Sequence, residues 1–181
     1  MIFRKSVLGE PFDDDYFVYS EDVYCGFRCR FSGLQVRHTN DSVVDHFGGG
    51  TSKKAPSPFL TYHQERNRLL NLFLFFSAGT IVRSMPFLLV NIAAKFAACI
   101  LVRKYSFHGL LKAYLWFPAN LRRIREKRNK LAAHKVVTDA AVLRSMSGKL
   151  TNGETMLGRV INAIALAYCR LVGLPVIEVV R

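Results

Sequence analysis

Residues 20–22 place two carboxylates at the predicted start of a helix, an arrangement that can carry out acid–base chemistry. Ser20 is a preferred N-cap residue, and Glu21 and Asp22 fall in the first turn, where the helix dipole favours negative charge. A carboxylate held there can accept a proton from a substrate hydroxyl. Taken alone, the same pattern is typical of helix capping, so both interpretations stand at this point.

Two later segments carry groups that bind anions. His46 precedes the glycines at 48–50 and Ser52, and the backbone amides of such a turn can bind phosphate oxygens. Arg66 can neutralise a phosphate or diphosphate group. Each feature also has an ordinary alternative, namely a structural histidine, a simple turn and a surface charge.

The elements that must position these residues divide the chain into three predicted parts, at 1–68, 69–144 and 145–181. The first part is predicted to be mixed structure. A helix begins at Glu21 and ends at Gly33, which has the residue type of a helix C-cap. Two short extended stretches, Leu34–Thr39 and Ser42–Phe47, are predicted to follow it.

The second and third parts are predicted to be helical and apolar. Leu69–Val82 and Met85–Val102 are shorter than the about 20 apolar residues that a membrane span needs, so we expect them to lie in a membrane interface. Near the end of the chain, Thr151 and Glu154 have capping-box spacing, and a last helix is predicted from about Met156 to Val172. The cations expected to reach lipid headgroups are Arg83, Lys95, Arg103, Lys104, Lys112 and the basic cluster Arg122–Lys130.

The charge of the chain is unevenly distributed and favours a membrane partner. Residues 1–60 carry eight acidic and seven basic residues, whereas residues 61–181 carry five acidic and 19 basic ones. A basic excess beside long apolar runs favours an anionic membrane surface over nucleic acid, whose binders pair a basic stripe with a polar fold. The cysteines lack disulfide or zinc-site spacing and are predicted to be buried thiols in a reducing compartment; they are Cys25, Cys29, Cys99 and Cys169.

Four segments resemble, in order and spacing, the acceptor side of family 2 glycosyltransferases, in particular the rhamnosyltransferase-like members. The resemblance implies an α/β fold, with part of a GT-A-like nucleotide-diphospho-sugar transferase domain followed by a mostly α-helical, membrane-associated region. The segments are Phe12–Val23 with its aspartate turn and Glu-Asp pair, Arg28 with the Gly33 turn, Ser42–Ser52 with its histidine and glycines, and Tyr62–Leu70, which is similar to the family's Tyr-x-x-x-Arg-Asn-x-Leu helix.

By this resemblance, Asp22 is the catalytic base of an inverting transferase. The enzyme would move a sugar such as rhamnose from a nucleotide-diphosphate donor to a cell-envelope polysaccharide or a lipid-linked acceptor. His46 is expected to contact a divalent metal ion, Mg²⁺ or Mn²⁺, or the diphosphate. The residues expected to contact substrates are Glu21, Arg28, Gly49, Ser52 and Arg66.

Two departures from the family pattern bear on this interpretation. Asp13-x-Asp15 falls where the family has a turn, so we interpret it as a turn and not as the metal-binding Asp-x-Asp string. Tyr24 stands where family members usually carry an acid, which leaves that acceptor contact open.

The nucleotide-binding half, with the Asp-x-Asp string that would share the metal, is expected to be missing from this chain. We therefore expect little activity from the chain alone, unless a separate chain supplies that half. The predicted location is the cytoplasmic face of the plasma membrane, with anionic lipids as a partner and no nucleic acid. The alternative function is a non-catalytic basic protein that binds an anionic membrane surface.

Overall fold

Eight helices make up the described part of the chain, which comprises residues 5–37, 43 and 57–177 of a computed structural model. The helices are α1 (Lys5–Leu8), α2 (Glu21–Phe31), α3 (Pro58–Phe75), α4 (Ala78–Leu101), α5 (Phe107–Ala119), α6 (Leu121–Ala132), α7 (Asp139–Leu143) and α8 (Met156–Leu171).

The expected α/β fold is wrong. The structure is 66% helix and has no strand or sheet among its described residues, where one isolated β-bridge joins Ser147 to Ile177. Leu34–Arg37, the described part of the first predicted strand, adopts no regular structure. A strand needs a neighbouring strand to pair its backbone groups, whereas α2 packs against α3 and α7. The rest of the two predicted strands lies outside the described residues, apart from Val43.

The predicted helix at Glu21 is confirmed, and its aromatic face forms the centre of the core. α2 ends where Gly33 adopts φ +75°, a left-handed conformation that glycine accepts without strain. Tyr24 and Phe31 are buried against Phe75 and Phe76 at the end of α3, with ring centroids 5.3–5.8 Å apart for the Tyr24–Phe75, Phe31–Phe75 and Phe31–Phe76 pairs. This packing fixes the axis of α2 relative to α3.

Helix α3 lies at the centre of the fold and contacts α2, α5 and α6. The boundary predicted between residues 68 and 69 falls within it. The apolar run Leu69–Val82 is divided between two helices, because the Ser77 hydroxyl accepts a hydrogen bond from the Thr80 amide and starts α4.

Helix α4 is the one helix in the described ranges that is long and apolar enough to cross a membrane, by length and composition alone. Its Lys95 does not reach outward as predicted. The Lys95 ammonium pairs with the carboxylate of Glu65 on α3, and its side chain is only 15% exposed. Lys95 is thus a cation of the interior, although the sequence predicted that it reaches lipid headgroups.

Helix α8 begins at a different cap from the one predicted. The Thr155 hydroxyl accepts from the Gly158 amide, so the capping-box interpretation of Thr151 and Glu154 is wrong. Thr151 instead donates its hydroxyl to the Gly158 carbonyl. The predicted end is confirmed, with Gly173 at φ +69° directly after the last turn.

Asp139, the first residue of α7, ties that helix to the start of α4. Its Oδ2 accepts from the Ser77 amide at 2.7 Å and from the Thr80 hydroxyl at 2.6 Å, and its Oδ1 pairs with Lys135. Burial by itself raises the pKa of Asp139, but the hydrogen bonds from Lys135, Thr80 and Ser77 outweigh it and lower the pKa from 3.8 to about 2.

We expect Asp139→Asn to destabilise the fold in a pH-dependent way. Because the folded-state pKa lies below the unfolded one, the stabilisation is complete above the unfolded value and is lost as the pH falls through the folded one. The two proteins should differ by roughly 2 kcal/mol in free energy of unfolding near neutral pH, and that difference should shrink between about pH 4 and pH 2. Urea unfolding across this range measures it; a difference that stays constant with pH would contradict the assignment.

Candidate functional site

The carboxylate pair occupies the N-terminus of α2 as predicted. Asp22 is exposed, and its Oδ1 accepts from the Val23 amide at 2.7 Å. Glu21 is half-buried, and no donor in the described part of the chain reaches its buried Oε2. The aligned amides of the first turn stabilise negative charge at both residues. Asp22 is therefore a carboxylate that solutes can reach on a fixed helix end.

The backbone before this pair is strained. Tyr19 and Ser20 adopt φ +67° and +62°, the left-handed region that residues with a Cβ rarely occupy. Ser20 precedes α2 in the N-cap position, but its side chain does not cap the helix. Strain of this kind costs about 1–3 kcal/mol per residue and persists only where surrounding contacts hold it.

Two asparagines of α3 supply those contacts. Asn67 is fully buried and donates to the carbonyls of Val18 at 2.8 Å and Tyr19 at 2.7 Å. Asn71 donates to the carbonyl of Ser20 at 3.3 Å. The three carbonyls before the carboxylate pair are thus bound by one face of α3, which sets where Asp22 lies.

Arg66, the residue before Asn67 on α3, also binds the segment that leads to the carboxylate pair. Its guanidinium donates to Asn67 Oδ1 at 2.7 and 2.9 Å and to the carbonyl of Asp15, and it lies 5.2 and 5.4 Å from the ring centroids of Tyr62 and Trp116. Arg66 is buried, so the surface-charge alternative is wrong. Two of the four resembling segments, around residues 12–23 and 62–70, therefore meet in space.

The aspartates before the loop form a turn, as predicted, and also bind α6. The Tyr16 amide donates to the Asp13 carbonyl at 2.8 Å, and the Asp15 amide donates to Asp13 Oδ1 at 2.9 Å. Asp15 pairs with Arg123 and Lys127, and Asp13 pairs with Lys127. The prediction that the whole basic cluster faces a membrane is therefore wrong for these two cations.

A cavity of about 440 Å³ lies beside the carboxylate pair. Ser20 and Val23, which flank Glu21 and Asp22, form part of its wall. Apolar side chains of α2, α3, α4 and the C-terminal segment form most of the rest, among them Phe27, Leu72, Leu88, Leu150 and Leu174. Concave, mostly apolar pockets of this size with a few polar groups are typical of ligand sites.

Of the remaining predicted contacts, Arg28 lies in the described part of the chain and three others do not. Arg28 donates to the carbonyls of Leu8, at 2.7 Å, and Glu10, and so holds the chain that leads into the loop. His46, Gly49 and Ser52 lie outside the described residues. Residues 5–37, 43 and 57–177 contain no group of three or more His, Cys, Asp and Glu side chains that could hold a metal ion.

Asn67 and Asn71 are the positioning residues that sequence reasoning missed. Asn67 belongs to the Arg66-Asn67 pair of the segment Tyr62–Leu70, in which only Arg66 was predicted to be functional. The signal available in the sequence was an asparagine next to an arginine in a predicted helix. Such an amide must find hydrogen-bond partners when it is buried. Asn71 lies one helical turn further along the same face.

No protein-family model, no curated protein and no solved structure matches this chain.

Proposed function

We propose that this chain forms the acceptor side of a sugar transferase of the family 2 type, with Asp22 as the general base. The supporting observation is the exposed Asp22 carboxylate in the first turn of α2, directly after the strained residues Tyr19 and Ser20, whose carbonyls Asn67 and Asn71 bind. Strain maintained by buried polar contacts is common at catalytic sites, because it pre-organises the reacting group. A helix cap alone would not require it.

In the proposed reaction, a hydroxyl of the acceptor attacks the anomeric carbon of the donor sugar. The new bond joins the acceptor oxygen to that carbon, and the bond between the carbon and the nucleotide diphosphate breaks with its electrons on the diphosphate. Asp22 accepts the hydroxyl proton as the new bond forms. The acceptor is a cell-envelope polysaccharide or a lipid-linked sugar, and the cavity beside Ser20 and Val23 is where it would approach.

The donor sugar, such as rhamnose, would be bound by residues outside the described ranges. His46, Gly49 and Ser52 remain the predicted contacts on this chain for a metal ion or the diphosphate.

Sugar transfer can be tested with labelled nucleoside-diphosphate sugars and a lipid-linked acceptor extracted from membranes. The chain is assayed alone and together with the donor-binding half of a family 2 transferase as a separate chain. We expect transfer near background alone and a clear increase in the mixture. Failure of this chain to raise transfer over that of the added half would refute the proposal, whereas robust transfer by the chain alone would refute only the need for that half.

The alternative, a non-catalytic membrane-binding protein, is favoured by one observation. α8 exposes Met156, Leu157, Ile164 and Leu171, a group of large apolar side chains of the kind that marks a membrane or protein contact. In that case vesicle binding would be the only measurable property, and replacing Asp22 would change nothing.

A further inference from the structure

We propose that the 440 Å³ cavity beside Asp22 binds the apolar chain of an anionic lipid. This rests on the proposed function only in making that lipid the carrier of the acceptor sugar. Binding of the chain itself requires no reaction.

The first argument is the chemistry of the wall. Leu72 of α3, Phe87 and Leu88 of α4 and Leu174 beyond α8 present aliphatic and aromatic surface to one space. Removing this apolar surface from water favours a hydrocarbon chain as the occupant. The polar side chains of the lining, among them Asn71 and Asn91, can bind the polar end of the same molecule.

The second argument is the charge around the cavity. Arg68 and Lys149 line it, and none of its described lining residues carries a carboxylate. The charge of Arg68 is already paired with Glu65, whereas Lys149 is exposed. This distribution fits an amphiphile whose head carries negative charge, as a phosphate does.

The third argument is the exposed apolar surface of α4 and α8. α4 and α8 are joined by contact of the Phe87 and Tyr168 rings, whose centroids are 5.1 Å apart. Phe87 lines the cavity, while the neighbouring Leu89 of α4 and Ile164 of α8 are exposed. The exposed apolar side chains of α4 and α8 would allow these two helices to contact the apolar part of a bilayer.

Position completes the argument. Ser20 and Val23 belong to the same wall and flank the carboxylate pair in sequence. The anionic head of a lipid whose chain lies between α3 and α4 is assigned to Lys149, the exposed cation among the lining residues, and not to the carboxylates of Glu21 and Asp22. A lipid-linked acceptor has an apolar chain that a free polysaccharide lacks, so this site selects the lipid-linked acceptor.

A binding assay can test the site without sugar transfer. The probe is 11-(dansylamino)undecanoic acid, whose fluorescence rises in apolar surroundings, and farnesyl phosphate is the competitor. Leu150→Trp should block the cavity, because Leu150 lines it and is 53% exposed, so a larger side chain does not disturb the core. We expect Leu150→Trp to weaken probe binding at least tenfold.

Leu121→Trp is the matched control, since Leu121 is 63% exposed on α6 and does not line the cavity. It should bind the probe as the wild type does. Farnesyl phosphate should displace the probe, farnesol should do so more weakly, and inorganic pyrophosphate should not. Unchanged binding by Leu150→Trp, or displacement by pyrophosphate as effective as by farnesyl phosphate, would overturn the proposal.

The lipid site and the transferase role fail in different ways. Asp22→Asn should bind the probe normally, because Asp22 is exposed and carries no apolar surface. Loss of binding in Leu150→Trp together with undiminished transfer in Asp22→Asn would keep the lipid site and refute the role of Asp22. Loss of transfer in Asp22→Asn with normal probe binding in Leu150→Trp would keep the role of Asp22 and refute the lipid site.

Discussion

We expect Asp22→Asn to lower sugar transfer by about 10²–10⁴-fold in the complemented assay, the usual contribution of a general base. The amide keeps the size and shape of the carboxylate but cannot take the proton of the acceptor hydroxyl. The loss should fall on kcat, with little change in the KM for the acceptor, because proton transfer belongs to the transition state. Initial rates at saturating donor measure both constants.

Asp14→Asn is the control for this experiment. Asp14 is an exposed carboxylate in the same segment, so its replacement makes the same change of charge without touching the start of α2. Its transfer rate should equal that of the wild type. Equal losses in both variants, or no loss in Asp22→Asn, would refute the assignment of Asp22 as base.

A fold defect in Asp22→Asn is separable from a catalytic one. Removing a negative charge from a helix N-terminus costs about 0.3–1 kcal/mol. Helix content by circular dichroism should therefore match that of the wild type. A large loss of helix would show that Asp22 serves structure and not chemistry.

Glu65→Ala destabilises the fold by about 3–5 kcal/mol, the cost of leaving a buried charge without its partner. The Glu65 side chain is only 2% exposed and accepts from Arg68 at 2.6 Å and Tyr114 at 2.8 Å, besides pairing with Lys95. Burial raises the pKa of Glu65, but Arg68 and Lys95 outweigh it and the net pKa is lowered. The carboxylate is thus charged and joins α3 to α4 and α5.

A double variant shows whether the unpaired Lys95 causes that loss. Burial lowers the pKa of Lys95, and Glu65 opposes this effect by favouring the charged ammonium. In the double variant Glu65→Leu with Lys95→Met, apolar side chains replace both charges, so most of the lost stability should return. Urea unfolding of the single and double variants gives the comparison.

Glu126→Ala provides the matched surface control. Glu126 pairs with Arg122 on the exposed side of α6, where such pairs contribute less than about 1 kcal/mol. A loss below 1 kcal/mol in Glu65→Ala as well would mean that the buried cluster is not what holds α4 to the body of the protein.

Several features could be predicted from residues close together in the sequence. The helix at Glu21, its end at Gly33 and the end of the last helix at Gly173 follow from local rules, because acids in the first turn and left-handed glycines act within one turn. The turn at Asp13 follows for the same reason. These predictions concern residues that contact their own neighbours in the chain.

The fold class and the environment of the charged residues could not be predicted in the same way. The two expected strands required a partner strand, and no local pattern shows whether one exists. Lys95 was assigned to a membrane surface, because its sequence neighbours do not reveal its buried partner Glu65, 30 positions away. The surface-charge alternative for Arg66 failed for the same reason, since the Asp15 carbonyl that it binds lies 51 positions away.

By itself, the sequence determined where α2 starts, where α2 and α8 end, which segments are apolar, and that a carboxylate pair begins α2. The tertiary structure alone decided that Asn67 and Asn71 hold the strained backbone before this pair, and that an apolar cavity lies beside it. The physical reason is the distance along the chain over which each kind of interaction acts. Capping and periodicity act over about four residues, whereas a buried amide or a cavity wall is completed by whichever distant segment folds against it.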